Sequence, residues 1–151
     1  MQAPRSARPR SQEPSYTGPV AGARSGSKRV LIVDDEPSVI DVLRELFKTF
    51  RHDHDYQVET ATNGTDAYRA VLRARPDLVL LDMHMPGMDG LALLKHLHAI
   101  DPGLPVIMVT ANQNSRAAAE AQVAGVFAYV PKPFDFRQLD NLVALVFSKA
   151  R

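Results

Sequence analysis

The chain predicts an α/β fold, a five-stranded parallel sheet doubly wound by helices, on three observations. From Arg29 onward, short apolar runs alternate with helix-length amphipathic stretches, five of each. Four of the five runs are apolar at nearly every position, as strands buried on both faces are. Pro, Gly, Asp and Asn punctuate the joints between them.

The strand candidates are 30–33 (VLIV), 56–60 (YQVET), 78–81 (LVLL), 106–109 (VIMV) and 126–130 (VFAYV). The second alternates polar with apolar, which places it at an edge. The first helix opens at Pro37, where a first turn tolerates proline, and carries Val39, Val42, Leu43 and Leu46 at helical spacing. A second starts near Asn63-Gly64, sets Ala67, Ala70 and Val71 on one face, and is stopped before Pro76. The third runs through Leu91, Leu94 and Leu97 and ends at Asp101-Pro102-Gly103. The fourth, from Ser115 to Ala124, is Ala-rich and weakly amphipathic, so little buried area holds it and it is expected to be mobile. The last repeats Leu139, Leu142, Val143 and Val146.

At 151 residues and 45% hydrophobic, the length suits one domain. The absence of Cys removes disulfides, thiolate nucleophiles and Cys-ligated zinc, and agrees with a reducing, cytoplasmic setting. No apolar run reaches the roughly 18 residues of a membrane span, and no apolar stretch near the N-terminus resembles an export signal. The net charge of +1 hides an asymmetry, since residues 1–29 carry six basic residues against Glu13 alone. Residues 1–27, rich in Pro, Ser, Gly and Ala, are therefore expected to be a disordered basic tail or linker, with one domain over 28–151.

In an open parallel sheet, ligands gather outside the carboxyl ends of the strands. Asp34, Asp35 and Glu36 follow the first apolar run, Asp82 the third, Thr110 the fourth and Lys132 the fifth. Helix caps would explain one acid at a strand end, but not several converging with a Thr and a Lys. Clustered carboxylates repel unless they share protons or a cation, and oxygen-only ligands favour Mg²⁺, with Mn²⁺ as a substitute. The same groups meet the demands of phosphoryl transfer, which are positioning and charge neutralisation, and Asp82, central among them, is the candidate nucleophile.

Four segments, Val33-Asp34-Asp35-Glu36, Asp82-Met83-His84-Met85-Pro86-Gly87-Met88-Asp89-Gly90, Val109-Thr110-Ala111 and Pro131-Lys132-Pro133-Phe134, resemble the response-regulator receiver family over about residues 28–149. The resemblance implies a flavodoxin-like (βα)5 fold in which Asp82 accepts a phosphoryl group from a histidine kinase or phosphotransfer protein. Asp34, Asp35, Asp82 and the backbone carbonyl of His84 would hold the metal. Thr110 and Lys132 would bind the phosphoryl group, helped by the backbone N–H groups of Met83 and Ala111, with a cis Lys132–Pro133 bond. Tyr129 matches a switch aromatic that turns inward with Thr110, although a buried strand tyrosine fits it equally well. His84 and Asn112 would tune the lifetime of the phosphorylated state. Such a domain is a phosphoacceptor in two-component signalling that promotes its own phosphorylation and dephosphorylation, and not an enzyme in the usual sense. Its output would be a protein partner at the fourth helix, fifth strand and fifth helix, or a homodimer, with no nucleic acid or membrane bound by the domain itself.

A stand-alone receiver is the leading expectation, with a receiver fragment of a larger regulator or hybrid histidine kinase second. A Mg²⁺-dependent phosphatase of the haloacid-dehalogenase kind would place its two aspartates two apart, whereas Asp34 and Asp35 are adjacent. A degenerate binding module is disfavoured because every phosphorylation-site residue type is in place. The pairs His52/His54 and His96/His98 lack metal-ligand geometry and read as solvated surface. Phe136 and Phe147 lie at the edge of the last helix toward the fourth and read as completing the core; if exposed, they would extend the face of the fourth helix, fifth strand and fifth helix.

Overall fold

A computed structural model describes residues 26–85, 87, 89–111 and 114–148. Strands and helices alternate along them: β1 (Ser27–Val33), α1 (Pro37–Thr49), β2 (Asp55–Ala61), α2 (Gly64–Arg73), β3 (Leu78–Leu81), α3 (Gly90–Ile100), β4 (Val106–Thr110), α4 (Ser115–Val123), β5 (Ala128–Pro131) and α5 (Phe136–Ser148). The strands pair in parallel in the order β2-β1-β3-β4-β5. The winding reverses between β1 and β3, which creates a crevice outside their carboxyl ends.

Strand alternation sends neighbouring residues to opposite faces and builds two apolar layers. Val30, Ile32, Leu78, Leu80, Ile107, Val109 and Val130 face α1 and α5, where they meet Ile40, Leu43, Phe47, Leu139 and Val143. Leu31, Val33, Val79, Leu81, Val106 and Met108 face α2, α3 and α4. The helices begin where short polar side chains cap them: Asn63 accepts from the Asp66 N–H at 2.8 Å, Asp89 from the Ala92 N–H at 2.7 Å and Asn114 from the Arg116 N–H at 2.8 Å. Ala121 is the fully buried residue of α4, whereas α3 buries Leu93, Leu94 and Leu97. At about 0.8 kcal/mol per buried methylene, α4 is the more weakly held of the two.

Several expectations need correction. β1 and β2 are longer than their apolar runs, pairing from Ser27 and Asp55 onward, because backbone pairing does not stop where hydrophobicity does. β5 starts at Ala128, not Val126, and it too is an edge strand, with Phe127 outside it and exposed. Val42 is exposed and Ile40 takes the core position. His52 is not solvated surface, since its ring bridges the Tyr56 hydroxyl and Asp140 of α5. His98 is half-buried between two backbone carbonyls. Phe147 packs beside Tyr56 and His54 with Lys28 over its ring, which places it toward the β2 edge, not toward α4. Phe136 is exposed. Of residues 1–27, only Gly26 and Ser27 are described, so the basic segment lies outside the described residues. Among the described residues no helix is long and apolar enough to cross a membrane.

Candidate functional site

The crevice is built from strand ends. Asp34 follows β1, and its N–H donates to the Ala61 carbonyl at 3.1 Å, while the Asp82 N–H donates to the Val33 carbonyl at 2.9 Å. These sheet-type bonds carry the β1 and β3 ladders one residue further and bring both carboxylates to one level. Asp34, Asp82 and Thr110 are buried, the only polar or charged side chains so placed among the described residues, and Asp35 is exposed at the mouth. Carboxylate oxygens of Asp34, Asp35 and Asp82 all lie within 4.8 Å of one another.

Lys132 closes the site from β5. Its Nζ donates to Asp34 Oδ2 at 2.8 Å and stands 3.6 Å from Asp82 Oδ2 and 3.5 Å from Glu36 Oε1. The Lys132 N–H donates to the Thr110 carbonyl at 2.8 Å, tying β5 to the end of β4, and the Lys132–Pro133 bond is cis. The Glu36 N–H donates to Asp34 Oδ1 at 2.9 Å, and the His84 N–H approaches Asp82 Oδ1 at 3.3 Å. His84, just after β3, and Ala111, just after β4, are exposed, and Met83 is buried. Tyr129 is half-buried, packed against the layer under α2, α3 and α4. Asn112 lies outside the described residues.

The electrostatics are lopsided. Burial pushes the Asp34 carboxyl up from its ordinary 3.8, and Asp82 adds to this, against hydrogen bonds from Lys132 and the Glu36 N–H that pull it down. Burial alone would lower Lys132, but Asp34, Asp82 and Glu36 outweigh it and hold the ammonium above its ordinary 10.5. Its pairing therefore stabilises the fold below 10.5 for as long as the carboxylates stay ionised; it is lost as pH rises through the raised Lys132 value and again in acid as Asp34 takes up its proton. Burial, then the Asp82 charge, raises the Tyr129 phenol, which stays protonated.

Three carboxylates with one ammonium leave excess negative charge in a partly dehydrated crevice. All the available donors are oxygen, the donor set a hard divalent cation takes. Cation binding needs ionised carboxylates. Mg²⁺ affinity measured calorimetrically should therefore weaken on acidification at a pH above the ordinary 3.8, because Asp34 takes up its proton early. An affinity unchanged down to pH 4 would exclude Asp34 from the site.

Gly90 is a site residue that the sequence reading quoted but gave no role. It opens α3, and its N–H donates to the Met83 carbonyl at 2.6 Å. A Cβ there would lie 2.3 Å from the Asp82 carbonyl oxygen and 2.6 Å from Met83 Cα. The glycine lets the start of α3 abut the backbone that carries Asp82. Glu36, counted among the strand-end acids, gains a specific contact with Lys132.

Comparison with known proteins gives a consistent picture. The family model described as the response regulator receiver domain matches residues 30–144. The sporulation initiation phosphotransferase F of Bacillus subtilis (strain 168) is 38% identical over 117 residues, covering 78% of this chain and 91% of the relative. The DNA-binding transcriptional regulator NtrC of Escherichia coli (strain K12) is 42% identical over 117 residues, and there the match spans 24% of the relative's length. Among solved structures, a CheY-like response regulator receiver domain protein from Methanospirillum hungatei JF-1 superposes with a TM-score of 0.69 at 30% identity, covering 77% of this chain and 90% of that one.

Proposed function

This chain belongs to the response regulator receiver domain family, and on that premise we propose that Asp82 accepts a phosphoryl group from a histidine kinase or phosphotransfer protein in a Mg²⁺-dependent reaction. The observation that carries the reading is the placing of one ammonium, Lys132, 2.8 Å from Asp34 and 3.6 Å from Asp82 at the mouth between β1 and β3. That arrangement supports an in-line attack in which an Asp82 carboxylate oxygen bonds to phosphorus. The bond from phosphorus to the donor's imidazole nitrogen breaks, and its electron pair stays on that nitrogen.

Asp34, Asp35, Asp82 and the His84 carbonyl would hold the ion, whose contribution when bound is to neutralise charge between the carboxylates and the phosphoryl oxygens. Lys132 pairs with a second phosphoryl oxygen, and the Thr110 hydroxyl and the N–H groups of Met83 and Ala111 take the rest. Thr110 and Tyr129 form the switch, and His84, exposed beside Asp82, flanks the path of attacking water and tunes the lifetime, as would Asn112. The chain is a phosphoacceptor signalling domain.

The output surface in this reading is the side of α4, β5 and α5; Phe136 at the start of α5 is exposed. It would receive a downstream protein or a second copy, with neither nucleic acid nor membrane bound by the domain itself. Residues 1–27 would be a linker to the domain over 28–151, and the setting cytoplasmic. A second reading, a receiver that works as one module of a longer regulator, is favoured by the small share of NtrC that the match spans.

Intact-mass analysis after incubation with Mg²⁺ and a small acyl phosphate tests the proposal. One added phosphoryl group that is absent in EDTA is the expected result. Equal labelling in EDTA would overturn the metal-dependent mechanism.

A further inference from the structure

His98 occupies the last turn of α3, half-buried, with each ring nitrogen facing a backbone carbonyl. Nδ1 lies 3.0 Å from the Ala124 oxygen at the C-cap of α4, and Nε2 lies 2.9 Å from the Leu104 oxygen in the connector from α3 to β4. Carbonyl oxygens only accept. A neutral imidazole carries one N–H and one lone pair, so it satisfies one of these oxygens and turns a lone pair toward the other. Only the doubly protonated ring donates to both. Its cation also lies where the C-terminal end of the α3 dipole favours positive charge.

The Ala124 carbonyl matters because α4 has little else to hold it. Ala121 is its fully buried residue, with Ala117 and Ala124 partly buried against the same layer. The chain leaves α4 through Gly125 at φ +95°, where a Cβ would press on the ring at 3.2 Å. The seat for the imidazole thus needs a glycine on two counts.

We propose that His98 is a proton-operated clasp on α4: protonated, it pins the C-terminal end of that helix to α3 and the β4 connector, and on losing a proton it releases one of the two. The two states of the clasp differ by one proton on one ring nitrogen, so acidity is the variable that sets it. The other charged or titratable groups on the surrounding elements are Lys95 and His96 on α3, Asp101 at its cap, and Arg116 and Glu120 on α4. Asp101 pairs with Arg75, and His96 bonds back to the Ala92 carbonyl of its own helix. The connector from Pro102 to Pro105 carries no charge. The clasp is independent of phosphoryl transfer, and because α4 belongs to the proposed output face, it would let acidity bias that face with Asp82 unmodified.

Nuclear magnetic resonance on the full chain between pH 5 and 8.5 tests it, following the His98 ring proton, the amide shifts of residues 117–126 and their exchange protection factors. The expected result is that these amides titrate with the midpoint of His98 and lose about tenfold in protection above it. In His98→Gln, which keeps polarity and approximate size but has no proton to lose, α4 should show no step at any pH. Titration of His98 without a response in α4 would overturn the proposal. So would a ring that does not titrate in this range, or an α4 step that persists in His98→Gln.

Discussion

Replacing Asp82 by Asn removes the phosphoryl adduct completely and leaves the fold in place. The amide keeps the size of the carboxylate and an oxygen for the His84 N–H, 3.3 Å away in the parent. It offers no anionic oxygen to attack phosphorus, and a nucleophile is not replaced by its neighbours' charge. Asp34 keeps its partner, since Lys132 Nζ stands at 2.8 Å from it. Losing the Asp82 charge also relieves one of the causes that push Asp34 upward, so the melting temperature should hold or rise. Intact mass with an acyl phosphate and Mg²⁺, beside a thermal melt by circular dichroism, reads both effects. An adduct that survives in Asp82→Asn would place the acceptor on Asp34 or Asp35 and remove the proposed role.

Gly90→Ala should be the most damaging single-methyl change. The added carbon meets the Asp82 carbonyl oxygen at 2.3 Å, Met83 Cα at 2.6 Å and the Asp82 carbonyl carbon at 3.0 Å, all of them backbone. A side chain can rotate away from such a contact, but here either the start of α3 or the loop holding Asp82 must move. Overpacking of this kind costs about 3 kcal/mol. For a domain near 120 residues that lowers the melting temperature by roughly 10 °C. The same shift displaces Asp82 and weakens its hydrogen bond network, so the phosphorylation rate should fall with stability. Gly103→Ala is the control, because the nearest atom to its Cβ is 3.9 Å away and it should change stability by less than about 0.5 kcal/mol. A Gly90→Ala protein that melts with the parent would mean that the α3 start is free to slide, contrary to the close approach described.

The sequence by itself determined the order and type of the elements and which polar side chains reach the carboxyl rim of the sheet. Buried parallel strands must be apolar on both faces, so 78–81 (LVLL) and 106–109 (VIMV) stand out as runs, and helices reveal themselves by their 3.6-residue period. Residues immediately after those runs must lie at the carboxyl rim, and Asp34, Asp82, Thr110 and Lys132 lie there. These are local signals, legible because they depend on periods and neighbours in the chain.

The tertiary structure alone decided what depends on partners distant in sequence. Lys132 pairs with Asp34 across 98 residues, and His52 with Asp140 across 88, because strand order and the packing of α5 bring them together. Nothing in residues 51–55 marks His52 as half-buried, and an isolated histidine on a helix does not reveal that two carbonyls from α4 and the β4 connector close on it. The edge position of β5 was hidden for the same reason, since an apolar run reports burial on its faces and not whether another strand pairs beside it. Burial and period belong to the single element and are written along the chain. Which buried groups meet belongs to the sheet order and the packing of its helices, and that is fixed only when the whole chain has folded.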